Sequence, residues 1–318
     1  MGKPKRRVNP KVTTRVNRDF KRLYIERLVK AVDKLPPPWE KSKTGRPPHD
    51  AKVVAILCAY MDAFGHTYES IEAELKAMPW LAKTLGVEKL PGHSVIQRGK
   101  QKLPMEYIRK LNKKVTAYLR MKRTTVIVDA TGFRVKTSST WYDIRVKRKN
   151  RRRDHDKLHL VIEVSRGAIM DFRITGPYKH DSPRLRALLS NLDEVIRVLG
   201  DSGYLSRKNC DIVVKKGGKP FFALKENTTP KAKRSRAWKE MVYFAREKEE
   251  LWKVIYHLRS YVEAVIGALK KRFGSCLSAI KVRMRRKQLA LRVLAYNIKQ
   301  SLYDEVAKTL GVPYWIPC

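Results

Sequence analysis

The sequence predicts an α/β fold preceded by an all-α segment, and three observations carry that prediction. Short β-branched runs alternate with helical patterns over residues 121–305, two of those runs end on an aspartate, and residues 46–120 read as short helices parted by glycine turns. At 318 residues with 43% hydrophobic content the chain is long enough to bury a sizeable core and to hold two domains.

Residues 1–45 read as a basic arm and linker, closed by Pro36, Pro37 and Pro38 and then by Gly45, Arg46, Pro47 and Pro48. In the helical module, 46–120, Val54, Leu57, Cys58, Met61 and Phe64 step helically until Gly65, and Thr67 is placed to cap a second helix bearing Ile71 and Leu75. Pro91 and Gly92 break the chain before Ser94, which is placed to cap a third helix containing Gln97, Arg98, Lys100 and Lys102. Ile108, Leu111, Val115 and Tyr118 continue the pattern on a fourth. Short helices with a basic third member suggest a helix-turn-helix reader in which Gln97 and Arg98 meet DNA. A bundle serving dimerisation or packing fits the same pattern.

From residue 121 the pattern changes. Thr124 to Val128 reads as a buried strand ending on Asp129. Leu158 to Val164 and Ile169 to Ile174 read as a hairpin joined by Ser165, Arg166 and Gly167. Asp181, Ser182 and Pro183 supply a cap and first-turn proline for a short helix with Leu185, Leu188, Leu189 and Leu192. Val195 to Leu199 ends on Gly200, Asp201, Ser202, Gly203 and Tyr204, and Lys219 to Leu224 supplies a further strand. Asp beside Gly is commonly a turn residue, so each aspartate alone is weak. Two at strand ends, followed by a glutamate on a helix, point to a site.

The helix is the most informative segment. Tyr256, Arg259, Glu263 and Lys270 are spaced by 3, 4 and 7 residues. On a continuous helix they fall within about 60° of one another. An apolar stripe from Leu251 and Val254 through Val262, Val265 and Leu269 to Phe273 predicts one helix packed on a core. The pattern Tyr-x2-Arg-x3-Glu-x6-Lys resembles the signature of DDE transposases from prokaryotic insertion sequences, and the resemblance extends over about residues 45–305. It implies an RNase H-like catalytic domain in which Asp129 sits on the first strand, Asp201 just after the fourth and Glu263 on a later helix. Only 62 residues separate Asp201 from Glu263, so the large β-rich insertion of some relatives is not expected. Residues 306–318 form a tail.

Three meeting carboxylates repel one another and call for a cation. Oxygen-only ligation suits Mg²⁺ or Mn²⁺. Two such ions, about 3.5–4 Å apart, activate a water or 3′-hydroxyl on one side of a phosphodiester and stabilise the leaving oxygen on the other. The resemblance implies DNA cleavage at element ends and joining of the 3′-OH to target DNA. It gives Asp129, Asp201 and Glu263 as metal ligands, and Arg259 and Lys270 as grips on phosphates. Tyr256 stands either near the cut strand or buried with its hydroxyl satisfied. It also implies a homodimer as the working form.

Composition bounds the partner independently. Lys and Arg number 71 against 30 Asp and Glu, a net charge of +41, so a polyanion partner follows. Charge alone does not separate an active transposase from a catalytically silent DNA-binding descendant or a structural RNA-binding protein; the acids favour the first. Runs at Lys3–Arg7, Arg148–Arg153 and Arg283–Lys287 read as solvated phosphate-touching segments, with Arg148–Arg153 in a loop beside the site. Cys58, Cys210, Cys276 and Cys318 form neither a zinc spacing nor a disulfide framework, and no run approaches a membrane span or signal core. A cytoplasmic, nucleoid-associated protein is the expectation. His155 and His159 are not read as metal ligands, and no Gly-rich phosphate loop is present.

Overall fold

Several helix starts in the first 120 residues follow local capping chemistry. In the computed structural model, which describes residues 6–40, 49–119, 123–135, 155–231 and 234–317, strand β1 (Arg6–Val8) leads into α1 (Pro10–Arg18), capped by the Asn9 side chain. Then come α2 (Phe20–Asp33) and α3 (Ala51–Phe64), whose cap Asp50 accepts from the Lys52 and Val53 N–H groups. Helix α3 stops at Gly65, whose φ of 74° favours glycine. Thr67 caps α4 (Tyr68–Lys76), as the sequence predicts, and forms a capping box with Ser70. Helices α5 (Pro79–Leu85), α6 (His93–Lys102) and α7 (Met105–Thr116) follow.

Three expectations change here. The arm expected over residues 1–45 is largely packed helix: Val12, Val16, Phe20, Tyr24, Leu28 and Val32 recur every four residues and all are buried. Helix α5 intervenes between the expected second and third helices. Helix α6 begins at His93 with Gly92 at the capping position, so Ser94 lies inside it, and the Glu72 carboxylate instead holds its start by accepting from the His93 N–H and ring. The proline–glycine boundary at 45–48 lies outside the described residues.

The second unit, Met121–Arg286, is a mixed sheet with helices. Its strands are β2 (Arg123–Val135), β3 (His155–Glu163), β4 (Ile169–Thr175), β5 (Glu194–Gly200), β6 (Lys219–Phe222) and β7 (Cys276–Leu277). The order is β4-β3-β2-β5-β6, with β7 on the far end of β2. β3 runs antiparallel to β2 and β4, whereas β5 is parallel to β2 and β6. The β3–β4 turn uses Gly167 at φ 68°. Helices α8 (Leu185–Leu189), α9 (Arg207–Lys215), α10 (Arg236–Glu247), α11 (Glu249–Tyr256) and α12 (Tyr261–Phe273) complete it.

Strand β2 does not end at Asp129; it continues to Val135. β5 leaves it there, because the parallel pairing stops at Val128 opposite Gly200. Asp129 therefore stands where the sheet splays, still held on its other side by Leu160 of β3. The predicted single helix is broken as well. A 3₁₀ turn, His257–Ser260, separates α11 from α12, so the helical wheel drawn through Tyr256 and Glu263 does not hold. Val262, Val265 and Leu269 are buried as the stripe predicts, but Leu251 and Val254 are 50% and 58% exposed, and α11 packs through Trp252 instead.

The last helix, α13 (Val282–Thr309), and strand β8 (Trp315–Pro317) complete the chain. Residues 287–318 belong to the first unit, with residues 1–120, so the stretch 287–305 lies there rather than with the strands. β8 pairs antiparallel with β1, which ties down the expected tail. The basic run 283–287 is not simply solvated. Arg285 is buried against Asp156 at 2.9 Å within the second unit, and Lys287 is buried in the first, donating to the carbonyls of Lys100 (2.9 Å) and Gln101 (2.7 Å). Run 148–153 lies outside the described residues, as do Lys3 to Lys5 of the first run.

Candidate active site

Alternation along β2 puts Asp129 and Phe133 on one face, and the segment 257–273 covers that face. Arg259 Nη2 lies 3.7 Å from Asp129 Oδ2, and Lys270 Nζ stands 5.5 Å from the centre of the Phe133 ring. This segment therefore runs along β2 in the same direction as the strand. Asp129 Oδ1 accepts from the Ala130 N–H at 2.9 Å.

Asp201 follows Gly200, the last residue of β5, and caps the 3₁₀ turn Ser202–Tyr204 by accepting from the Gly203 N–H at 2.9 Å. Gly200 is required by packing. A Cβ there would lie 2.9 Å from Val128 Cγ2 and 3.0 Å from Phe222 Cδ1, the side chains of the two flanking strands. The Gly200 carbonyl accepts from the Tyr256 hydroxyl at 3.3 Å, and the Tyr256 side chain is half-buried. The Tyr256 ring stacks on Trp252 at 6.2 Å, and Trp252 on Phe221 of β6 at 4.8 Å.

The electrostatics join Asp129 and Asp201. Burial raises the Asp129 carboxyl above its ordinary value; the Ala130 N–H and the Arg259 guanidinium oppose this, while the charges of Asp201 and Asp181 add to it. Burial likewise raises the Tyr204 hydroxyl, and the same three carboxylates push it further. Tyr204 is buried and, among the described residues, its hydroxyl has no hydrogen-bond partner; Arg259 Nε is likewise buried and unbonded among them. Two donors that water would ordinarily satisfy thus stand unsatisfied beside two carboxylates.

Asp181 and His159 are site neighbours that sequence reading missed. The Asp-Ser-Pro string suggested a cap, yet Asp181 makes no capping hydrogen bond. Its Oδ1 lies 2.7 Å from Lys157 Nζ and 3.1 Å from Nδ1 of the buried His159, whose Nε2 is 2.9 Å from the Thr175 hydroxyl. Burial alone would raise Asp181, but the bonds from His159 and Lys157 outweigh it and hold the carboxyl below its usual range. No local signal could have shown these partners. Tyr204 had one, its place in the Gly-Asp-Ser-Gly-Tyr turn.

The remaining predicted residues fall elsewhere. Glu263 is exposed in the first turn of α12, and among the described residues no group of three His, Cys, Asp or Glu side chains is gathered to hold a metal ion. The donors brought together fit a hard cation through the Asp129 and Asp201 carboxylates, but the third acid is not drawn in with them. Gln97 and Arg98 are exposed on α6, in the other unit, with Arg98 Nε donating to the Ser94 carbonyl at 3.3 Å.

A sheet ordered β4-β3-β2-β5-β6, with aspartates on its central strand and just past the neighbouring parallel one, defines a mixed α/β class. Residues 120–298, more than half of the chain, match the family model described as the transposase DDE domain. The chain belongs to that family, whose fold is RNase H-like. Comparison with curated proteins and with solved structures gave no match. No helix among the described residues is long and apolar enough to cross a membrane.

Proposed function

We propose that the chain is an active transposase that binds insertion-sequence ends, cleaves DNA phosphodiesters there and joins the 3′-OH ends to target DNA. The observation that carries this reading is the pairing of the Asp129 and Asp201 carboxylates with the unsatisfied Arg259 Nε and Tyr204 hydroxyl. Crowded acids attract a divalent cation, and idle donors suit a phosphate oxygen. Asp129 and Asp201 would hold Mg²⁺ or Mn²⁺, with Glu263 as the further ligand. Bound there, such ions supply charge neutralisation and an activated water or 3′-hydroxyl.

The chain's own residues do the rest. Arg259 neutralises Asp129 and offers its free Nε to the phosphate. Tyr256 braces the backbone immediately before Asp201, and Lys270 adds a cation further along the same face. Gln97 and Arg98 on α6 read the ends, and a homodimer brings two ends together.

One observation favours a second reading, a DNA-binding protein without cleavage activity: Glu263 stands exposed and, among the described residues, outside any three-acid group. Incubating the full chain with Mg²⁺ or Mn²⁺ and DNA carrying the element's own terminal repeats separates the two. Site-directed strand cleavage supports the first; tight binding without cleavage in either metal supports the second.

A further inference from the structure

The second unit has a basic groove that the site does not use. A cavity of about 720 Å³ runs along α9, walled on one side by α8 and on the other by the turn into α10. Arg186, Arg207, Lys208, Lys215, Lys216 and Arg234 line it, against one carboxylate, Asp211. That carboxylate accepts from the Ser235 hydroxyl at 2.7 Å, and the same hydroxyl oxygen caps α10 by accepting from the Trp238 N–H, so the acid fixes the wall. Arg234, at φ 71°, makes the turn into that wall. Lys216 is tied to the Leu192 carbonyl. The other five are exposed, and none forms an ion pair among the described residues.

A chain of charge +41 has basic surface in many places, but this groove is not a sample of the average. A second cavity in the same unit, of about 480 Å³, is lined mainly by apolar side chains, among them Phe221, Phe244 and Ile255. Six cations around one cavity repel each other unless a polyanion lies between them.

Position and chemistry narrow the ligand. Arg207 opens α9 six residues after Asp201, and Lys216 at the other end receives the Val195 N–H, near the start of β5, on its carbonyl at 3.2 Å. The groove therefore extends from the acid-bearing end of β5 to its opposite end. Eight residues of helix rise about 12 Å, which is roughly three phosphates of one duplex strand. The lining holds neither Asn nor Gln to read adenine edges, and its cations are mostly exposed heads on long side chains, suited to phosphates at any sequence.

We propose that this groove holds the phosphodiester backbone of double-stranded DNA without reading its sequence, as a contact separate from the carboxylate site. DNA of variable sequence, flanking the element or serving as target, is the ligand of that chemistry. The proposal rests on the reading of the chain as a DNA-processing enzyme.

The test is a salt series of full-chain binding to a short random-sequence duplex. Neutralising Arg186→Gln, Arg207→Gln, Lys208→Gln and Arg234→Gln together should lower the log–log salt slope by about two units. The charge-preserving set Arg186→Lys, Arg207→Lys and Arg234→Lys should keep it. An unchanged slope in the neutral variant, with the wild type steeply salt-dependent, overturns the groove alone. Equal loss in both variants shows that shape rather than charge was disturbed and overturns it too. A wild type that shows no salt-dependent binding overturns the functional reading and the groove with it.

Discussion

The Tyr256 hydroxyl donates to the Gly200 carbonyl at 3.3 Å, joining the first residue of the Tyr-Arg-Glu-Lys signature to the residue before Asp201. This bond and the stacking on Trp252 make Tyr256 a brace between α11 and the end of β5. Tyr256→Phe keeps the ring and removes the bond, so it should cost about 0.5–1.5 kcal/mol in urea unfolding and slow cleavage several-fold with little change in DNA affinity. A rate equal to wild type would reduce Tyr256 to a packing residue.

Gly200→Ala tests the same strand end from inside. The added methyl meets Val128 and Phe222 at or within 3.0 Å, and strands on both sides leave it nowhere to go. Overpacking of this kind costs about 1–3 kcal/mol. Because Asp201 is the next residue, metal-dependent cleavage should fall more than DNA binding does. Full activity at unchanged stability would show that β5 yields without moving Asp201.

Asp129→Asn is expected to abolish cleavage and raise stability together. The folded-state carboxyl is raised, chiefly by burial, so the folded protein holds its proton more tightly than the unfolded chain. Stability therefore falls as pH climbs from the ordinary carboxylate value through the raised one, and the cost persists at neutral pH. Asparagine carries no charge to desolvate. In chelator at pH 7 the variant should melt higher, by on the order of 1–3 °C, and the difference should vanish in acid below the ordinary carboxylate range. A lower melting temperature at neutral pH would mean that the Arg259 pairing outweighs the burial.

Exposed Glu263 separates chemistry from fold. Glu263→Gln should leave unfolding within about 0.5 kcal/mol of wild type, yet abolish Mg²⁺-dependent cleavage, while Arg259→Ala and Lys270→Ala should each lower the salt slope of end binding by about one. Undiminished cleavage by Glu263→Gln would take that residue out of the metal site.

The parts of this molecule legible in its sequence are those whose causes are local. β-branched runs gave the strands around Asp129 and Asp201, Gly65 gave the end of α3, and Thr67 gave the cap of α4. The continuous helix failed because His257–Ser260 contains no proline or glycine to announce a 3₁₀ turn. Asp181 carries a valid capping string, but Lys157 and His159, distant in sequence, claim its carboxylate. Arg285 and Lys287 looked solvated for the same reason: their partners are Asp156 and the carbonyls of Lys100 and Gln101, 129 to 187 residues away. Composition cannot foresee a charge whose partner arrives by tertiary folding.

The reading of element ends by α6 needs the whole chain for its test. Residues 46–120 alone would lack α1, α2 and the C-terminal part of α13, which belong to the same unit, and would leave buried groups such as Asn112, paired with Asn297 at 2.7 Å, without partners. Gln97→Ala and Arg98→Ala should therefore be made in full-length protein. Both side chains are exposed, so stability should stay within about 0.5 kcal/mol. If they touch base edges, affinity for the true ends should fall by about 1–3 kcal/mol per lost bidentate contact while affinity for scrambled ends is nearly kept. Phosphate contacts, plentiful in a chain of charge +41, hold the scrambled duplex regardless. Equal losses on both duplexes would make α6 a phosphate-binding or packing helix and place end recognition elsewhere in the chain.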